Sequence, residues 1–311
     1  MRNSCSGSSR LAVCLLMVLG AGCGPVDDEG SAGAEGTVRQ ELSSANGLSF
    51  NGLSFNGLSF NGLSFNGLSF NGLSFNGLSS EEFATWFQTD PVMAAQVMKY
   101  VVRCAVPAGQ TRSYTDPGSG TTYTWEGLLG LAVDWASGRR ATTAEQQVVS
   151  ACLAAHATRS GISMPISVLG TDGRGRPIPY TAQELQEYSE QEACFFGNLF
   201  TGEGIYVGTD QGLLSGNESS PRQCGMSPGP LQVEGCGLLK PIGSCELACS
   251  PSLLRPYHTA CFRNGTAYRA ITTRLRTEDL FHCGDGICQF TESCGVGAGY
   301  KQCTLDCGAC L

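Results

Sequence analysis

The sequence predicts an α+β fold: a disulfide-bonded globular head over residues 81–282, with a small Cys-rich module at 283–311 behind it and a low-complexity repeat stalk in front. Three observations predict it. Helix-period apolar stripes alternate with Thr- and aromatic-rich runs of strand character after Glu81. Fourteen Cys follow Cys23, six of them within the last 28 residues or so of the chain. The pentapeptide NGLSF repeats in tandem between Asn46 and Phe75.

The N-terminus comes first. Arg2 and Arg10 flank a polar start, and Leu11–Leu19 is an apolar run of nine residues. That is too short for a membrane span, which takes about 20 residues, and suits the apolar region of a secretory signal over residues 1–22. Gly20-Ala21-Gly22 leads into Cys23 and resembles the lipobox of bacterial lipoproteins, with Gly20 where that family prefers Leu, Val or Ile. The resemblance implies a lipid on Cys23 and a membrane partner through that anchor. It places the chain at the outer membrane or cell surface. Simple secretion after cleavage near Ala21 is the other outcome.

Removing the signal leaves 17 basic against 27 acidic residues, a net charge of −10. An acidic surface repels phosphate backbones, which argues against nucleic acid as a partner. With Cys5 and Cys14 in the signal and Cys23 at the anchor, an even set of Cys remains: Cys104, Cys152, Cys194, Cys224, Cys236, Cys245, Cys249, Cys261, Cys283, Cys288, Cys294, Cys303, Cys307 and Cys310. In an exported chain they are expected to pair.

Residues 23–45 read as a polar spacer. Residues 46–80 hold six copies of NGLSF and a closing NGLSS. Five residues is also the period of the pentapeptide-repeat proteins, which form a square β-solenoid. This array departs from them in carrying Asn or Leu where that family has a small residue. Asn-Gly breaks each unit, so a flexible stalk that associates weakly with itself through Leu and Phe is expected.

In the head, Ser79 with Glu82 forms a capping-box pattern ahead of Phe83, Trp86 and Phe87. Asp90-Pro91 starts a second helix with its stripe on Met93, Val97, Tyr100, Val101 and Cys104. Thr111–Thr115 and Thr121–Trp125 flank a Pro-Gly turn and predict a β-hairpin. Thr143 with Gln146 opens a helix carrying Val148, Val149, Cys152 and Leu153, which stops at Gly161. Ile162–Val168 alternates as a strand, with Pro165 marking an edge. Thr181 with Glu184 caps a further helix. Beyond Cys194 the chain turns rich in Gly, Pro and Cys, and only short strands are expected.

The candidate chemistry is sparse. No G-x-S-x-G, H-E-x-x-H or P-loop occurs. His156 falls four residues after Cys152, the spacing of a thiol–imidazole pair on one helix face. Against that reading, Cys152 occupies an apolar helical position and is expected to bridge to Cys104 or Cys194. Tyr114, Tyr123 and Trp125 share a hairpin face. They would form a platform for a glycan or peptide if exposed, or the core face of the hairpin if covered.

The C-terminal module reads Cys283-Gly-Asp-Gly-Ile-Cys288, then Glu292-Ser-Cys294, then Cys303-Thr-Leu-Asp306-Cys307 and Cys310. It is too short to fold on a buried core alone. The pattern is similar to the cysteine-rich repeats of secreted and surface proteins of myxobacteria and other bacteria. Residues 81–282 likewise resemble the middle region of uncharacterised lipoprotein-like proteins of those bacteria, in runs such as Val101–Ala105, Val149–His156 and Cys194–Phe200. The repeat resemblance implies a disulfide-linked module in which Asp285, Glu292 and Asp306 hold a calcium ion. The other reading is that these carboxylates cap turns.

The expectation is thus a non-enzymatic surface lipoprotein whose head binds an extracellular protein or glycan. Two alternatives stand beside it: a secreted hydrolase using Cys152 and His156 or a carboxylate pair, and a structural protein that self-associates through the repeats.

Overall fold

The computed structural model describes residues 43–46, 48–49, 81–158, 164–210, 218–219, 222, 239–252, 254–289, 292, 294–295 and 303–310. All lie in the unit Glu41–Leu311. The signal, Cys23, the spacer up to residue 42, most of the repeat array, and Cys224 and Cys236 lie outside the described residues.

Two short strands, β1 (Ser43–Asn46) and β2 (Leu48–Ser49), precede the helices. Helix α1 (Glu81–Thr89) buries Phe83, Trp86 and Phe87. Helix α2 (Pro91–Ala105) starts as its sequence dictates. Asp90 is extended, its Oδ1 accepts from the Met93 amide at 3.0 Å, and Pro91 takes the first helical position, where no amide is needed. The stripe of Val97, Tyr100, Val101 and Cys104 is buried; Met93 is partly covered.

The predicted hairpin forms from β3 (Thr111–Thr115) and β4 (Thr122–Glu126), paired from Thr111–Glu126 to Thr115–Thr122. Asp116 closes its turn, accepting from the Gly118 amide at 3.0 Å and from the Ser119 hydroxyl at 2.7 Å. The Ser119 hydroxyl, then the Gly118 amide, hold the Asp116 carboxyl below the ordinary carboxylate range.

A short helix α3 (Val133–Ala136) leads to α4 (Thr143–His156). Its cap corrects the expected Thr143/Gln146 pair by one residue. Thr142 is the cap: its Oγ1 accepts from the Glu145 amide at 3.2 Å, and Glu145 Oε2 accepts from the Thr142 amide at 3.0 Å. Glu145 suits this end better than Gln146 because its charge meets the positive end of the helix dipole. Its second oxygen also accepts from the Asp134 amide at 2.6 Å, so the carboxylate ties α3 to α4. The helix ends at His156, ahead of Gly161, which lies outside the described residues.

Strand β5 (Ala157–Thr158) follows directly, then β6 (Met164–Gly170), α5 (Ala182–Glu187, capped by Thr181), β7 (Glu190–Asn198) and β8 (Gly204–Thr209). After β9 (Glu218–Ser219) come β10 (Leu239–Ser244), β11 (Cys249–Ser250), β12 (Ala260–Arg263), β13 (Thr266–Tyr268), β14 (Ala270–Leu275), β15 (Phe281–His282) and helix α6 (Thr304–Cys307). The main sheet has the order β1-β6-β14-β7-β8-β10, antiparallel except for the last pair. Beyond Cys194 the described strands are short, as expected, and β7, β8 and β14 make up the middle of the sheet. One expectation is corrected here: Pro165 does not mark an outermost strand. It sits on β6 beyond the stretch paired with β14, opposite Ala45 of β1, where its missing amide breaks no central ladder.

The sheet has two different faces. Along β7, Ala193 and Phe195 join the core under α1, α2 and α4, while Cys194 and Phe196 join a second cluster with Tyr206, Tyr268 and the cystines. Along β8, Ile205 and Val207 face the first core and Tyr206 the second. This is the period of two of a strand buried on both sides, and such continuous apolar runs are why alternation was hard to read in the sequence. Each large apolar side chain so buried contributes about 1.5–3 kcal/mol.

The bridges fall into two sets. In the head, Cys104–Cys152 joins α2 to α4, Cys194–Cys245 joins β7 to the turn after β10, and Cys249–Cys261 joins β11 to β12. In the C-terminal module, Cys283–Cys303, Cys288–Cys307 and Cys294–Cys310 link first to fourth, second to fifth and third to sixth. No bridge among the described residues crosses between the sets.

Candidate functional site

The sequence-predicted residues are placed as follows. Cys152 is bridged to Cys104, so the thiol of the expected Cys152–His156 pair does not exist as a nucleophile. His156 is fully buried, and its Nδ1 donates to the Cys152 carbonyl at 2.8 Å, one helical turn back. Burial pushes its pKa down to about 3, helped by the nearby charges of Arg103 and Arg222 and opposed by that hydrogen bond. It is a neutral core imidazole packed on Tyr100.

The hairpin aromatics form no exposed platform. Tyr114 and Trp125 are buried and Tyr123 is half-buried. Phe83 stands edge-on to Tyr114 at 4.8 Å between centroids, and Phe87 lies 4.7 Å from Tyr114 and 4.9 Å from Tyr123. The strand alternation that aligns the three rings also turns them together under α1, the outcome that apolar area favours.

In the C-terminal module each candidate calcium ligand caps a turn. Asp306 accepts from the Gly284 amide at 2.6 Å and the Gly286 amide at 3.0 Å. Asp285 accepts from the Ile287 amide at 2.9 Å and from Gln289 Nε2 at 2.7 Å. Glu292 accepts from the Gln289 amide at 3.1 Å. Both glycines have positive φ, 106° and 86°, which explains the Gly-Asp-Gly spelling. The three carboxylates do not converge. Asp306 groups instead with the bridged sulfurs of Cys283 and Cys303, a poor donor set for a hard cation.

The structure brings together a pair that sequence reasoning missed. Asp210 directly follows β8, and its amide donates to the Glu192 carbonyl at 2.9 Å. His258 lies between β11 and β12, its amide donating to Thr272 Oγ1 at 3.0 Å. The two meet at 2.8 Å and 3.0 Å from His258 Nε2 to the Asp210 oxygens, and Gln191 Nε2 donates to the same carboxylate at 2.8 Å. Both side chains are buried, 4% and 7% exposed. Nε2 faces the carboxylate, and Nδ1 is buried with no hydrogen-bond partner among the described residues. A carboxylate-oriented imidazole is the arrangement of a general base, but no hydroxyl or thiol is bonded to Nδ1. Forty-eight residues separate the two groups, so no local spacing signalled them.

Beside it lies a second missed pair. Arg222 holds Glu192 with two hydrogen bonds, at 2.8 Å and 3.1 Å, and donates to the carbonyls of Ala155 and Ala157 at 2.7 Å and 2.9 Å. Thr273 Oγ1 donates to Glu192 at 2.7 Å. The guanidinium thus caps the C-terminal end of α4, where the helix dipole favours a cation, and its fork matches the carboxylate.

No family model, no curated protein and no solved structure matches this chain. No described helix is long and apolar enough to cross a membrane.

Proposed function

We propose that the chain is an exported surface lipoprotein, anchored through Cys23, whose disulfide-closed head is a non-enzymatic binding module for an extracellular protein or glycan. The observation that carries this reading is the division of the bridges into two self-contained sets behind a signal-like N-terminus. Bridges in this number are the pattern of an oxidising compartment. The bridged sulfur of Cys152 counts against the thiol hydrolase. The test has two arms. A palmitate analogue should label the wild type and not Cys23→Ala; equal labelling sinks the anchor. Alkylation under denaturing, non-reducing conditions should leave Cys152 unmodified; a modified Cys152 revives the thiol enzyme.

One observation favours a second reading, a hydrolase with His258 as base and Asp210 as its orienting group: the carboxylate-held ring whose Nδ1 has no hydrogen-bond partner among the described residues. Activity on an ester, peptide or glycoside panel that His258→Gln abolishes would establish it in place of the first.

A further inference from the structure

The edge of the head that carries β5 and β6 is already occupied by part of the repeat array. Ser43–Asn46 pairs antiparallel with Met164–Ser167, and Leu48–Ser49 pairs parallel with Ala157–Thr158. Asn46, Leu48 and Ser49 belong to the first NGLSF unit. Strand β6 bonds to β14 only along Ser167–Gly170, so Met164–Ile166 has the β1 segment as its partner. The added edge strand is thus Ser43–Asn46, whose last residue opens the first unit, and Leu48–Ser49 of that unit pairs with β5; main-chain hydrogen bonds give affinity in this mode.

The unit on that edge is not unique. The same five residues return five more times up to Phe75, with NGLSS after them. Sliding the array by one unit places identical residues at identical positions. The odd shift therefore carries no change of face, as it would in an ordinary strand. The differences lie upstream: Ser43-Ser44-Ala45 precedes the first unit, whereas Leu-Ser-Phe precedes the others, so a Leu takes the place of Ser43 opposite Ser167 and a Phe that of Ala45 opposite Pro165. Main-chain pairing tolerates those exchanges.

We infer that the β5–β6 edge is a receptor for the peptide Asn-Gly-Leu-Ser-Phe, and that a unit from a second copy of this chain takes it in exchange for the chain's own first unit. Each chain then offers one receptor and several equivalent ligands. Exchange of an identical segment between protomers needs no new interface, and a sheet edge whose outermost strand can leave offers unpaired main-chain groups to a replacement. Reciprocal exchange closes as a dimer, and one-way insertion of a chain's unit into the next chain's head extends head-to-tail into open chains. At low concentration a chain's own unit has the advantage of tethering. Crowding of heads removes that advantage. The inference holds whether or not Cys23 is lipidated, and it goes beyond the binding role proposed above.

The test is sedimentation of the full chain over a wide concentration range, with and without a synthetic NGLSFNGLSF peptide. The expected result is reversible association that an excess of this peptide reverses and a permuted peptide of the same composition does not. Association that ignores the peptide, or a chain that stays monomeric throughout, overturns the inference. Hydrogen exchange gives an independent reading. Deleting residues 43–80 should speed exchange at the Met164 and Ile166 amides at least tenfold, and the NGLSFNGLSF peptide should restore their protection. Unchanged protection on deletion, with the bridges intact by mass, overturns it too.

Discussion

Acidification should destabilise the head through His156. Its imidazole is fully buried against Tyr100 and the Cys104–Cys152 bridge, and burial holds its pKa at about 3. An unfolded chain restores it to about 6.5. The folded value lies below the unfolded one, so the unfolded chain takes up the proton first as pH falls. The stability this group supplies is complete above about pH 6.5 and is lost progressively down to about pH 3. At about 1.4 kcal/mol per pH unit, moving from about pH 7.5 to about pH 5 removes about 2 kcal/mol. The comparison variant is His156→Gln, which keeps an N–H donor for the Cys152 carbonyl but does not titrate. Urea unfolding followed by Trp fluorescence at both pH values measures the difference. The wild type should lose about 2 kcal/mol more than the variant over that interval, an order-of-magnitude figure. Parallel losses in the two proteins would refute the argument, because they would mean that the imidazole is protonated in the fold or reached by water.

Two further outcomes follow from packing and charge. Glu192→Gln leaves the Arg222 guanidinium buried without a counter-charge; both side chains are almost fully covered, at 0% and 2% exposed. The expected loss is about 3–5 kcal/mol, read as a fall in the urea midpoint. Gly208→Ala puts a Cβ 2.9 Å from the Cys245 backbone and 3.0 Å from Cys194 Sγ. Neither atom can swing away, so thermal unfolding should show a loss of about 1–3 kcal/mol.

Much of the local structure was legible because it is written in adjacent residues. The Asp90-Pro91 start, the hairpin around Asp116 and the Thr181 cap all rest on contacts a few residues apart. The Thr142/Glu145 cap was misread by one residue because Thr142 and Thr143 are chemically alike, and the choice between them depends on Glu145 reaching the distant Asp134 amide. Strands β7, β8 and β14 were missed for a different reason. Residues buried on both faces show no polar alternation, and glycines such as Gly197 and Gly208, demanded by close backbone approach, imitate loop composition. The Asp210–His258 and Glu192–Arg222 pairs join residues 48 and 30 positions apart, and only the sheet order brings them together. The clustering of six cysteines at the C-terminal end, in contrast, was readable in the sequence, although the crossed pairing within that module was not.

The place of β14 in the sheet bears on when this protein can fold. Residues 270–275 lie between β6 and β7, so the two halves of the sheet have no common partner until nearly the whole chain exists. Synthesis from the N-terminus therefore yields a long intermediate that cannot assemble its central ladder, and pairings this distant are slow to form. Under the export proposed above, that delay would keep the polypeptide threadable through a translocation channel, and Cys194 would meet Cys245 only on the side where bridges form. The last strand of the main sheet to be made would then act as a latch whose closing waits for the destination.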